Sequence, residues 1–190
     1  MKLYSDCREV LTGLSAFSYK DRIVVTRQME RHVFDHGLVI SVSCRCRWGY
    51  PQTLLCKPFF KGIPFPTLFW LTCPYLSKLC GAIESAGGVG DLENFLKSHK
   101  SAYTVYNSLY ASVRQQCLNK TEKHFLRMYR PKILRVLTQS GIGGIRQSDA
   151  ATAKCLHLQT ATFLSLYGHP AANWLRKRLK TFCCNNEQCR

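Results

Sequence analysis

The chain has 190 residues, of which 46% are hydrophobic, and this composition favours one globular domain over a disordered chain. Its 27 Lys and Arg residues outnumber 11 Asp and Glu residues and give a net charge of +16. Such an excess is typical of proteins that contact nucleic acid, polyphosphate, an anionic membrane surface or an acidic protein. Charges interrupt the first 30 residues, and the longest uncharged run, residues 62–77, is shorter than the roughly 20 residues of a spanning helix. We therefore expect a cytoplasmic protein without a transmembrane segment.

Eleven cysteines are the unusual feature of the composition. In a reducing compartment they are not expected to form a disulfide framework, and an odd number cannot pair completely within one chain. Some are expected to be small buried residues. The remainder could hold a metal ion or an iron–sulfur cluster.

The N-terminal third contains the predicted strands. Ile23–Val25 is β-branched and short, and residues 38–43 form a second strand-like run. Gly49 and Pro51 mark a turn, after which residues 52–56 can return as the other half of a hairpin. Arg45 and Arg47 alternate with Cys44 and Cys46 before this turn and are candidate anion-binding residues.

The least polar stretch of the chain follows this hairpin. Residues 65–71 form an apolar run of strand length, Thr72 is a candidate helix cap, and Pro74 suits the first turn of a helix that ends near Ala86. This pattern puts Cys73 between a strand and a helix N-terminus. Ligands bind at such junctions in open α/β sheets.

The second half of the chain has helical periodicity. Tyr103, Tyr106 and Tyr110 repeat at helical spacing and predict a core-facing stripe. Residues 121–139 predict an amphipathic helix interrupted at Pro131. A basic face of this helix and a glycine-rich turn at residues 141–145 supply further candidate anion-binding residues: Lys123, Arg127, Arg130 and Arg146.

A helix is predicted over residues 150–167, with a cap at Ser148 or Asp149. It contains Lys154, Cys155 and His157. Two residues on a helix are about 200° apart, so we expect Cys155 and His157 to point in opposite directions and not to bind one metal together. A last basic helix precedes a polar tail whose cysteines are exposed thiols or ligands that fold back onto a metal: Cys183, Cys184 and Cys189.

Several separated motifs resemble the bacterial "domain of unknown function 501" family over roughly residues 38–176. They are Cys46 with Gly49 and Pro51, Pro64-Phe65-Pro66-Thr67, Leu71-Thr72-Cys73-Pro74, Gly143-Gly144 and Lys154-Cys155-Leu156-His157. The resemblance implies that Cys46, Cys73 and Cys155 belong together, with His157 near them. The chain departs from the family pattern at residues 169–171, where His-Pro-Ala stands in place of Asn-Pro-Gly. The family has no established activity.

These observations predict an α+β fold, in which a small, mostly antiparallel sheet from the N-terminal third packs against a C-terminal helical bundle. We expect one domain over residues 1–182 and a cysteine-containing tail over residues 183–190.

The functional hypothesis is a protein with a cysteine-ligated iron–sulfur cluster at Cys46, Cys73 and Cys155, with zinc as the alternative metal. Lys154 and His157 would then act in charge stabilisation or proton transfer on an anionic substrate, such as a nucleotide or an RNA. Without a metal, Cys73 could be a nucleophile, because a helix N-terminus lowers the pKa of a thiol. A second hypothesis is a non-enzymatic basic protein that binds RNA, DNA or polyphosphate, with structural cysteines.

Overall fold

The computed structural model describes residues 13–29, 34–146 and 151–189. The chain begins with helix α1 (Tyr19–Gln28). Ser18 caps it, because its hydroxyl accepts a hydrogen bond from the Asp21 backbone N–H while the Asp21 carboxylate accepts one from the Ser18 N–H. The strand predicted at Ile23–Val25 is therefore wrong: this reciprocal cap starts a helix that continues through those residues.

A three-stranded antiparallel sheet follows, in the order β1-β2-β5. Its strands are β1 (Val39–Arg45), β2 (Pro51–Cys56) and β5 (Phe69–Leu71). The predicted hairpin is confirmed, with Arg45 opposite Pro51 and Val39 opposite Cys56. A separate two-stranded hairpin joins β3 (Phe59–Phe60) to β4 (Ile63–Pro64). All six residues of β2 are buried, because it is the central strand and has neighbours on both edges.

Seven further helices form the rest of the described chain. They are α2 (Pro74–Ser85), α3 (Gly88–Lys97), α4 (Lys100–Gln116), α5 (Lys120–Tyr129), α6 (Pro131–Gln139), α7 (Leu156–Ser165) and α8 (Ala172–Leu179). Helix α2 matches its prediction, and Pro131 separates α5 from α6 as expected. The α+β architecture, with a small antiparallel sheet in the N-terminal third and helices thereafter, is confirmed.

The main core lies between the sheet and helices α2, α4 and α7. The predicted tyrosine stripe of α4 belongs to it, since Tyr103, Tyr106 and Tyr110 are all buried. The Tyr106 hydroxyl donates to the carbonyl of Leu166, and the Tyr110 hydroxyl accepts from the Leu68 N–H. These bonds satisfy polar groups inside an otherwise apolar core. Within the described residues, no helix is both long enough and apolar enough to cross a bilayer.

Arg114, near the end of α4, is a fully buried cation. Its guanidinium donates to backbone carbonyls of three segments: Pro66 before β5, Leu137 and Ser140 at the end of α6, and Gly141 in the following turn. Burial lowers the pKa of Arg114 from its usual value. The carbonyls at the end of a helix lack partners within the helix, so one side chain satisfies groups that water cannot reach.

His169 is the second buried polar anchor. Its Nδ1 accepts a hydrogen bond from the Ala171 N–H at 3.1 Å, and its Nε2 donates to the Gln159 side-chain oxygen at 2.9 Å. An asparagine oxygen accepts from the residue two positions on in the same way. His169 therefore maintains the turn despite its departure from the family pattern. Complete burial lowers the pKa of His169 to about 3, so it is neutral in the folded protein.

Replacing Arg114 with Met is expected to destabilise the fold by about 3–5 kcal/mol, because several buried carbonyls lose their donor. The measurement is the free energy of unfolding in urea. Lys100→Met, at an exposed position of the same helix, is the matched control and should change it by less than about 0.5 kcal/mol. Equal stabilities of the two variants would contradict this role for Arg114.

His169 should make the fold sensitive to acid. Because its folded pKa lies below the unfolded value of about 6.5, the unfolded chain binds more protons as the pH falls. Stability should therefore decrease below pH 6.5 by up to about 1.4 kcal/mol per pH unit from this group alone. The neighbouring Tyr103 and Tyr106 do not titrate there, because burial raises their pKa values.

The check is the free energy of unfolding from pH 7 to pH 5 for the native chain and for His169→Asn. The Asn variant keeps an acceptor for the turn and cannot protonate. Its pH slope should be smaller than that of the native chain. Parallel slopes would show that His169 is not the responsible group.

Candidate functional site

Cys155 and His157 lie together with Glu84, a residue that the sequence analysis did not select. The ligand atoms of these three side chains are all within 4.8 Å of one another. The expectation that Cys155 and His157 point in opposite directions is therefore wrong. Helix α7 begins at Leu156, one residue after Cys155, whose backbone is extended with φ −163° and ψ 158°. The 200° rule applies only to two residues inside the helix, so it does not apply to this pair.

Helix α7 positions Cys155 as its N-cap residue. The Cys155 Sγ accepts a hydrogen bond from the Leu158 N–H at 3.4 Å. The positive end of the helix dipole lies at the same place. Cys155 is thus placed as a potential metal ligand or nucleophile.

Helix α2 supplies Glu84, in its last turn. The Glu84 Oε1 accepts a hydrogen bond from the Leu156 N–H at 2.5 Å and lies 3.1 Å from the His157 Nδ1. A carboxylate in the last turn of a helix is unfavourable with respect to the helix dipole. That local conflict is the sequence signal that could have identified Glu84, since such conflicts concentrate at functional sites.

The other ring nitrogen of His157 faces a backbone carbonyl. The His157 Nε2 lies 3.1 Å from the Ser77 oxygen, which can only accept, so Nε2 carries a proton. Nε2 therefore donates to the Ser77 carbonyl, and Nδ1 is the atom directed toward Glu84. Hydrogen bonds to Cys155 and Glu84 raise the pKa of His157 to about 9 despite partial burial.

A pocket of about 670 Å³ adjoins Cys155 and His157. This volume suits a small-molecule ligand. Arg27 and Lys154 bring positive charge to its wall, and Trp70 and Phe69 contribute aromatic surface. The Lys154 Nζ donates to the Gly143 carbonyl at 2.6 Å, which holds this side chain beside the glycine turn. Gly143 has φ +62°, and a Cβ there would lie 2.3 Å from Leu158, so the turn needs glycine at this position.

Cys46 and Cys73 lie apart from this group. Cys46 is the first residue after β1, and Cys73 is the N-cap of α2 and is 4% exposed. Burial raises the pKa of Cys73 to about 11 and outweighs the opposing effect of the Leu76 and Tyr75 backbone amides. The expected reactive thiolate at Cys73 is therefore not supported, because burial prevails over the helix terminus.

Two of the predicted anion-binding arginines are engaged in internal contacts. Arg45 forms an ion pair with the Asp21 carboxylate at 2.7 Å and also donates to Ser15 and Gly49. Arg47 donates to the Cys184 carbonyl and to Asn185. These contacts give both residues a structural role.

The other predicted anion-binding residues are on the surface. Arg127 and Arg130 are exposed, and Lys123 is partly exposed on the same helix, α5. Arg146 is exposed after the glycine turn, but the predicted cap at Ser148 or Asp149 lies outside the described residues. The structure therefore separates a basic surface on α5 from the pocket.

The tail folds back onto the hairpin between β1 and β2. Cys183 and Cys189 are partly exposed, whereas Cys184 is buried, contrary to the expectation that the polar tail has little to bury. The Trp48 indole N–H and the Arg47 guanidinium both donate to the Cys184 carbonyl at 3.0 Å, and they cover this residue.

Comparison with known proteins identifies one match. A family model described as "Protein of unknown function (DUF501)" matches residues 42–177. No curated protein and no solved structure gives a significant match. Because the model covers most of the chain and contains the hairpin, α2, the glycine turn and the Cys155–His157 segment, the chain belongs to the DUF501 family, whose function is unknown.

Proposed function

We propose that this protein is a metal-dependent enzyme that binds one zinc ion through Glu84, Cys155 and His157 and acts on a small anionic substrate. The single observation that carries the proposal is the His157 ring. Its Nε2 proton is bound to the Ser77 carbonyl, while Nδ1 faces the Glu84 carboxylate. Metal-binding histidines typically have this arrangement, in which the second ring nitrogen donates to a backbone carbonyl.

The three ligand types suit zinc. Thiolate, imidazole and carboxylate are the usual zinc ligands, and three protein ligands leave a fourth position for water or substrate. Cys155 and Glu84 raise the pKa of His157, because both favour a proton on the ring beside them. A bound ion would replace that proton among the same ligand atoms.

The pocket supports the proposal of a small anionic substrate. It contacts Cys155 and His157, and the two cations on its wall favour an anion. Zinc in an open site lowers the pKa of a bound water and polarises a substrate oxygen, which favours hydrolysis. Arg27 and Lys154 would orient the anionic group, and the aromatic wall at Trp70 would accommodate a planar or apolar part.

The proposal predicts one equivalent of zinc per chain in the native protein and at least a tenfold weaker zinc affinity in Glu84→Gln, Cys155→Ser and His157→Gln. Metal analysis and competition with a chelator measure both quantities. Cobalt substitution should give sulfur-to-cobalt charge-transfer absorption that is lost in Cys155→Ser. Cys117→Ala, at the C-terminal end of α4, is the control and should keep the zinc affinity unchanged.

A metal-free protein would overturn this proposal. If Cys155 were then alkylated by iodoacetamide much faster than Cys117 at neutral pH, the Cys155–His157 pair would instead be a nucleophile and its acid–base partner. The proposed site would also be excluded if the three ligand variants bound zinc as tightly as the native protein does.

A second candidate function rests on helices α5 and α6. Arg127 and Arg130 are exposed beside Phe125 and Tyr129, which are 41% and 70% exposed. Cations interleaved with exposed aromatic rings are the combination that binds single-stranded nucleic acid. We propose that this surface binds RNA independently of the pocket.

Binding of a labelled single-stranded RNA should weaken steeply with salt, and Arg127→Ala with Arg130→Ala should reduce the slope of log affinity against log salt by about 1.4, because each phosphate contact on a single strand contributes roughly 0.7. The titration is a fluorescence anisotropy series at several salt concentrations. Lys97→Ala with Lys177→Ala, at two exposed positions of α3 and α8, has the same change in charge and controls for net charge. Equal slopes for the two double variants would show that RNA binding depends only on the net charge of the protein. That result would exclude a dedicated RNA-binding surface on α5.

A further inference from the structure

The tail and the β1–β2 hairpin form a second cysteine-rich region, separate from Glu84, Cys155 and His157. The Gln52 side chain donates to the Phe182 carbonyl at 2.5 Å, and the Tyr50 hydroxyl donates to Glu187 at 2.9 Å. Together with the bonds from Arg47 and Trp48 to Cys184, these contacts fix the tail along the hairpin turn. The position of Cys189 is thus determined by the fold.

Three cysteines of the chain lie around Pro51. The Gln28 side-chain amide donates to the Pro51 carbonyl at 2.9 Å and to the Cys189 Sγ at 3.2 Å. The Thr72 hydroxyl donates to the same carbonyl at 3.3 Å, and Cys73 is the next residue. Cys46 approaches from the hairpin, since its N–H donates to the carbonyl of Tyr50, the residue before Pro51.

The electrostatic interactions of these thiols agree with their proximity. Cys73 interacts with Cys46 and with Cys189, and Cys189 also interacts with Cys46, so each pair of the three is coupled.

Gln28 provides an independent sign of a missing group. The Pro51 carbonyl can only accept a hydrogen bond, so the Gln28 side-chain atom that faces it is the amide nitrogen. The Gln28 Oε1 therefore points elsewhere. That Oε1 is buried and has no hydrogen-bond partner in the described part of the chain. Buried acceptors without a donor are uncommon and call for an explanation. The nitrogen of the same amide donates to the Cys189 Sγ, so this unpaired acceptor belongs to a side chain that contacts one of the three thiols.

One metal ion cannot be bound by Cys46, Cys73 and Cys189 together in the described arrangement. Among the described residues, the set whose ligand atoms approach within 4.8 Å is Glu84, Cys155 and His157, and Cys46, Cys73 and Cys189 do not form such a set. A cluster of several irons holds its thiolates further apart than one zinc ion does. Three thiolates also leave one iron of a [4Fe–4S] cluster without a protein ligand.

We infer that Cys46, Cys73 and Cys189 bind an iron–sulfur cluster at a second centre, next to the pocket. Gln28 donates to Cys189, Thr72 and Pro74 flank Cys73 in the chain, and all three line the pocket, so the second centre adjoins the pocket. The tail cysteine Cys189 thus replaces Cys155 in the ligand set predicted from the sequence. Cluster binding does not depend on the proposed zinc site.

The test is anaerobic reconstitution of the full chain with ferrous iron and sulfide, followed by iron and sulfide analysis and visible absorption. The native chain should bind about four irons and four sulfides and absorb broadly in the visible range. Cys46→Ala, Cys73→Ala and Cys189→Ala should each lose most of this absorption. Cys189→Ala is the decisive variant, because it changes the tail and leaves the core intact.

Two matched controls separate the possible outcomes. Cys183→Ala removes another tail thiol, and Cys155→Ala removes the proposed zinc ligand; both should retain the cluster. Loss of the cluster in Cys155→Ala with retention in Cys189→Ala would overturn the inferred ligand set. The cluster itself would be overturned if the native chain bound no iron and sulfide. It would also be overturned if the native chain bound one zinc ion and the three variants did not. Neither result bears on zinc binding by Glu84 and His157, which is measured separately.

Discussion

The buried guanidinium of Arg114 connects the helical half of the molecule to the proposed zinc site. It binds carbonyls before β5, at the end of α6 and in the glycine turn, and these segments are far apart in sequence. The turn is fixed further by Asn107, whose side chain accepts from the Ile142 N–H at 3.0 Å. The same turn provides the Gly143 carbonyl that holds Lys154, the residue before Cys155. A single buried cation on α4 therefore determines where the pocket wall lies.

Helix α2 sets the separation between the two proposed centres. Cys73 precedes its first residue, Ser77 follows one turn later, and Glu84 lies in its last turn. At 1.5 Å per residue, the backbone positions of Cys73 and Glu84 are about 16 Å apart. Of the residues of α2, Pro74 and Ser77 line the pocket, and both lie in the half of the helix that follows Cys73.

The sequence predicts the elements whose signals are local. The β1–β2 hairpin follows from alternating residues around Gly49 and Pro51, helix α2 from Pro74 and the glycines after Ala86, and the buried face of α4 from its tyrosine spacing. Cys46, Cys73, Cys155 and His157 were also selected, through a family resemblance. The sequence pattern does not show which of these residues come together in one site.

The reasons are physical and specific to each residue. Cys155 and His157 lie close together because the backbone of Cys155 is extended and the helix begins at the next residue. If the helix began one residue earlier, the two side chains would point in different directions. Glu84 acts through a contact between α2 and α7, about 70 residues apart, which no periodicity encodes. Cys189 reaches the hairpin only because Gln52, Arg47, Trp48 and Tyr50 hold the tail.

The described acidic side chains share one property that affects the whole surface. Each of the seven accepts a hydrogen bond within the fold: Asp21, Asp35, Glu84, Asp91, Glu93, Glu122 and Glu187. A hydrogen-bonded carboxylate keeps its charge, and the net charge of +16 already counts these groups. Mobile anions from the solvent must neutralise much of that excess. The buffer anion therefore affects the electrostatic surroundings of the protein, because chloride and phosphate would form different ion atmospheres around the same fold.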